Sequence, residues 1–173
     1  MKRKVFMWKK LIDWIKKLWC NILCLCWKSP KYEPEKWNDN NGIQFSNNCY
    51  NYACNIQTGT YAQPGQATRN MYSSIDCNGV TDDAVSDGLT KQDCDRTCPN
   101  CCHKVALVVA PGYDYHWYRQ DDNGMWSHKP GGTPATNLDN SGNPINDPRT
   151  ADHGPYTFFC GCFCVCKCKV KIT

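Results

Sequence analysis

The C-terminal run Cys160-Gly161-Cys162-Phe163-Cys164-Val165-Cys166-Lys167-Cys168 constrains this chain more than any other segment. Cysteine at every second position puts all five side chains on one face of an extended strand. Neighbours on that face lie about 6.5–7 Å apart at two strand rises, beyond the usual Cα separation of a relaxed disulfide. The five therefore look to another segment for partners. Cys94, Cys98, Cys101, Cys102 and His103 form a second cluster, spaced C-x3-C-x2-C-C-H. It offers disulfide partners, or thiolates for a structural zinc, because Cys98 to Cys101 is one zinc-type knuckle. A zinc site would need two ligands from each cluster, since no second knuckle exists. A third reading keeps some of these cysteines as small buried hydrophobes. No other cofactor is required.

The redox compartment stays open. Fifteen cysteines in 173 residues approach the level of a disulfide scaffold. The apolar run from Leu18 to Trp27 is short, follows lysines and lacks a small-residue cleavage site, so it does not read as a cleavable signal peptide. Without an export signal, disulfides compete with metal binding and acylation.

Charge separates the chain into two parts. Of the net +4, residues 1–30 hold eight Lys/Arg against one Asp, a balance of +7, which leaves −3 for residues 31–173. A nucleic-acid footprint would need a basic face on the folded part, so no nucleic-acid partner is expected.

Residues 4–27 carry a helical period. Trp8, Leu11, Ile15, Leu18 and Trp19 fall on one side, and Lys9, Lys10, Lys16 and Lys17 on the other. A span would need about 20 mostly apolar residues, and charges interrupt this one. The pattern predicts a basic amphipathic anchor helix over 1–28, lying on an anionic membrane surface or against a partner protein. Cys20, Cys24 and Cys26 near its end are candidates for acylation. Localisation is then membrane-associated, with a virus particle as one setting.

Residues 29–43, with Pro30, Pro34 and Gly42, read as a linker. The domain then runs over 44–173. Ser46-Asn47-Asn48 can cap a helix through Ala53, and a short helix is expected near Asp82 to Leu89. Lys104 to Ala110 is the best buried strand. Asn123-Gly124 marks a hairpin with arms near 114–120 and 125–129, and Tyr156 to Ile172 ends the chain as a strand. Residues 130–155 read as a long ordered loop.

His116 and His128 sit on the two hairpin arms, twelve residues apart. Cys49 follows three capping-type residues, in a first helical turn whose N–H groups would lower a thiol pKa and form an oxyanion hole. His116 is then the base and His128 its orienter. Asp139 and Asp147 are rival orienting carboxylates, and Asp114 a weaker one.

This order resembles that of papain-like cysteine hydrolases, and more closely that of NlpC-type cell-wall peptidases, over about residues 44–130. Asn48-Cys49-Tyr50-Asn51-Tyr52-Ala53 takes the nucleophile position, and Val105 to Val109 with His116 and His128 takes the sheet. The Asp-Cys-Ser-Gly surround of that family is absent, and Pro111 to Tyr115 separates the first strand from His116. The resemblance implies an α+β papain-like domain, its cysteine helix packed on an antiparallel sheet. It implies a hydrolase or acyltransferase acting on a peptide, cell-wall peptide or lipid through a Cys49 thioester. The alternative is a non-enzymatic structural or interaction protein, such as a membrane-lining virion component, cross-linked by cysteines.

Overall fold

The computed structural model describes residues 29–39 and 42–173. The expected anchor helix, with Trp8, Lys9, Lys10, Leu11, Ile15, Lys16, Lys17, Leu18 and Trp19, lies outside the described residues, as do Cys20, Cys24 and Cys26. No helix among the described residues is long and apolar enough to cross a membrane.

A 3-10 turn at Pro34–Lys36 precedes three helices, α1 (Ile43–Ser46), α2 (Cys49–Cys54) and α3 (Cys77–Ser86). The strands are β1 (Thr90–Gln92), β2 (Cys102–Ala110), β3 (Asp114–Gln120), β4 (Trp126–His128) and β5 (Phe158–Cys166). They form one antiparallel sheet in the order β1-β5-β2-β3-β4. The chain is thus α+β, with a hairpin β3–β4 turning at Gly124. The helix expected near Asp82 starts earlier, because Asp76 accepts from the N–H groups of Asn78 and Gly79 and caps it.

Asn48 caps α2 by accepting from Tyr50 N and Asn51 N, while Asn51 returns a bond to the Asn48 N–H. All six residues of α2 are buried. The helix packs on the sheet face that carries Val105, Leu107, Val109, Tyr115, Trp117 and Phe163. The opposite face carries Ala106, Val108, Tyr118 and Cys162, covered by Trp126, Ile145 and the long segment after β4. Burial on both faces explains why β2 reads as a continuous apolar run with no alternation.

A bulge in β5 divides its cysteines. Leu107 pairs with Gly161 but Val108 with Phe159, so Cys160 has no opposite residue. Past that point alternation resumes with Cys162, Cys164 and Cys166 on the face away from α2. Cys160 turns to the helix face, where it bridges Cys77 at the start of α3. The expectation that all the alternating cysteines share one face is corrected by this inserted residue. Gly161 has φ +123°, and a Cβ added there would meet nothing within 4 Å. Gly161→Ala is therefore expected to cost about 1–3 kcal/mol through backbone strain alone. Denaturant unfolding would measure it, and an unchanged midpoint would show that the bulge does not depend on glycine.

Three further bridges join β5 to the segment before β2 and to its first residue: Cys94–Cys162, Cys98–Cys164 and Cys102–Cys166, with Cα separations of 5.1, 5.7 and 4.1 Å. β1 runs antiparallel to β5, from Thr90 opposite Cys164 to Gln92 opposite Cys162. The chain then reverses, and residues 93–101 cross the sheet as a strap bound to β5 in order. Cys101 takes a left-handed φ of 71° at the turn into β2. Cys168 is disulfide-bonded as well. The sulfurs of Cys94, Cys98, Cys102 and their partners are consumed in bridges, so they cannot act as zinc thiolates.

Candidate functional site

Two buried polar clusters and one cleft surround the hairpin. Strand alternation places Tyr115, Trp117 and Arg119 towards α2, and His116 and Tyr118 on the other face. His128 lies opposite Tyr118 and shares that second face. The two imidazoles meet there, with His116 Nε2 2.7 Å from His128 Nδ1. His128 Nε2 lies 2.9 Å from the Leu138 carbonyl, which can only accept. In a neutral pair His128 Nε2–H therefore donates to Leu138. Its Nδ1 accepts from His116 Nε2–H, which leaves His116 Nδ1 as a lone pair. Tyr118 stacks on His128 and Tyr156 on His116, with ring centroids 4.9 and 5.4 Å apart.

Burial holds both imidazoles neutral, with their pKa values pushed below the usual range, that of His116 furthest. His116 also feels the neighbouring His128. His103, which ends the second cysteine cluster, lies in β2 and is 1% exposed. Its Nε2 donates to Ala53 O at 2.6 Å, its Nδ1 has no partner, and burial lowers its pKa to about 4. The unfolded chain takes up protons on these imidazoles as pH falls through about 6.5, whereas the folded chain resists. Their contribution to stability thus erodes below that pH, and for His103 the loss is complete once pH passes about 4, on the order of 3 kcal/mol. The raised carboxyl groups of Asp87 and Asp121 act in the opposite sense. His103→Gln, whose amide N–H can replace the imidazole donor to Ala53 O, isolates the imidazole part: its unfolding free energy should fall less between pH 7 and 4 than that of the parent chain. Parallel pH profiles would contradict this.

Cys49 belongs to the core cluster on the α2 face and is 6% exposed. Burial pushes its thiol up to about 12, against smaller help from the Trp117 backbone. Among the described residues no hydrogen bond joins it to either imidazole. The Tyr50 and Asn51 N–H groups, which an oxyanion hole at this turn would need, are already taken by Asn48. Cys54 is a second buried thiol. Asp139 lies at the cleft beside the histidines, and its carboxylate holds the turn by accepting from Ser141 N and Asn143 N. Asp147 lies elsewhere, paired with Arg149 at 2.7 Å, and Arg149 also reaches Asp95.

The cleft over this face has a volume of about 400 Å³. It draws residues that no sequence signal marked as site residues: Asp152 and His153 come from the long segment read as a loop, and Tyr156, expected to begin the last strand, lies just before β5. A further unmarked residue is Lys129, 0% exposed, whose Nζ donates to Gln44 O, Asn47 O and Gly131 O, each at 2.6 Å. Burial lowers its pKa to about 8. It ties the exit of β4 to α1 and to the residues before α2.

No family model matches the chain, and no solved structure does. The chain is 52% identical, over 133 residues, to insoluble matrix shell protein 1 of Ruditapes philippinarum. The match covers 77% of this chain and 88% of that relative. This corrects the assignment to papain-like cysteine hydrolases and NlpC-type peptidases, and with it the expectation of a cysteine peptidase. The α+β sheet and the Cys49, His116 and His128 spacing are compatible with many proteins, whereas identity at this level over most of both chains identifies kinship. The chain belongs to the family of insoluble matrix shell protein 1.

Proposed function

We propose that the protein is a non-enzymatic structural component of an extracellular organic matrix, acting as a rigid disulfide-locked block. The observation that carries this reading is the set of four bridges centred on β5, taken with the name borne by the relative. Disulfides persist in oxidising compartments and rarely in the cytosol. These four close within one chain, so they stiffen the block and leave the linking of blocks to other surfaces. The hydrogen bond between the two imidazoles and the Asn48 cap fit the same role, because they fix the hairpin and α2.

The test is fractionation of the producing tissue. The protein should be found in the extracellular residue that survives removal of mineral with acid and washing with salt. Recovery in the soluble cytosolic fraction, with its cysteines reduced, would overturn the reading.

A further inference from the structure

The cleft beside the histidine pair has the chemistry of a cation site. Tyr118, Tyr156 and the imidazoles supply aromatic walls, and Asp139 and Asp152 supply carboxylates at the rim. No lysine or arginine lines it. His116 is 3% exposed yet lines the cleft, and its Nδ1 lone pair has no hydrogen-bond partner among the described residues. Aromatic faces, carboxylates and an unfilled acceptor together suit an ammonium or guanidinium group on a long apolar stem.

The same chain carries such groups. Residues 1–30 hold a balance of +7 against −3 for residues 31–173. We infer that the cleft receives a lysine or arginine of the basic N-terminal segment of a second copy, linking copies head to tail. Such a contact is heterologous, and unless its rotation closes a ring it extends into open polymers. This rests on the matrix reading above, and it supplies the link between blocks that intramolecular bridges cannot.

The experiment uses the full oxidised chain, with self-association read by sedimentation velocity and by the pelleted fraction at low and high salt. The parent chain should associate, and salt should weaken that association. Asp139→Asn with Asp152→Asn should weaken it by about tenfold or more. Replacing Lys9, Lys10, Lys16 and Lys17 by Gln should do the same. A peptide of residues 1–28, added in excess, should dissolve the assemblies and shift the His116 ring nitrogen resonances.

Loss on changing the lysines with no effect of the aspartates or of the peptide on His116 would overturn the proposal. That pattern, with undiminished binding to phosphatidylserine vesicles, would assign the basic segment to membranes. A parent chain that stays monomeric at low salt would also overturn it. Either failure would leave the matrix reading standing, because that reading is decided by tissue fractionation.

Discussion

Reducing all the disulfides is expected to unfold the domain at physiological temperature. The four bridges to β5 span 64 to 83 residues of sequence. Closing one loop of that length removes about 4 kcal/mol of chain entropy from the unfolded state. The bridges cross in sequence, each starting and ending later than the one before. Once one is closed, the next closes a much smaller ring and adds only about 2–3 kcal/mol. Together they amount to roughly 10 kcal/mol, as large as the net stability of an ordinary domain. The strap of residues 93–101 makes the effect sharper, because two of its links to the sheet, at Cys94 and Cys98, are covalent, and a third bridge at Cys102 follows at once in β2. Circular dichroism melting with and without reductant measures this. The reduced chain should lack a cooperative transition above about 37 °C, given that loss relative to typical stability. A reduced chain melting within a few degrees of the oxidised one would show that packing alone holds the fold.

Arg119→Met should be the most damaging single substitution. Its side chain is 1% exposed, with Nε and Nη2 on Asp121 Oδ1 at 3.1 and 2.9 Å. Nη2 also donates to the Lys31 carbonyl at 3.0 Å and the Tyr52 hydroxyl at 2.9 Å, and Nη1 to Asn55 Oδ1 at 3.2 Å. The guanidinium lies 4.0 Å from the centre of the Tyr52 ring. Removing it leaves the buried Asp121 carboxylate without its counter-charge, a loss of about 3–5 kcal/mol. The residues before α1, the end of α2 and the β3–β4 hairpin would lose their common anchor. Adding Asp121→Asn to Arg119→Met should recover part of the loss, because no charge is then stranded. A double-mutant cycle in denaturant measures both. A single-substitution cost below about 1 kcal/mol would mean that the network is incidental.

Much of the fold was legible from local chemistry. The Asn48 cap, the β2 strand and the Asn123-Gly124 hairpin follow from periodicity and turn residues whose partners are close in sequence. β1 was not legible, because Thr90-Lys91-Gln92 has no apolar pattern and is a strand only through its pairing with β5. The face of Cys160 depended on one inserted residue, which alternation cannot reveal. At the candidate site the meeting of His116 and His128 was readable from the hairpin. Their environment was not: His153, Asp152 and Tyr156 arrive from a segment whose path is fixed by long-range contacts. The choice of Cys49 rested on position in a first helical turn. The structure shows what position could not: the Asn48 side chain occupies the turn's N–H groups, and burial raises the thiol pKa where an exposed first turn would lower it.

Disulfide mapping of the natural protein, isolated without reductant from its tissue and digested with thiols blocked, tests the central claim most directly. The account predicts Cys77–Cys160, Cys94–Cys162, Cys98–Cys164 and Cys102–Cys166 as intrachain links, with Cys49 and Cys54 recovered as thiols only after unfolding. A chain recovered with those eight cysteines reduced, and with Cys49 the thiol that labels first in the folded state, would contradict it.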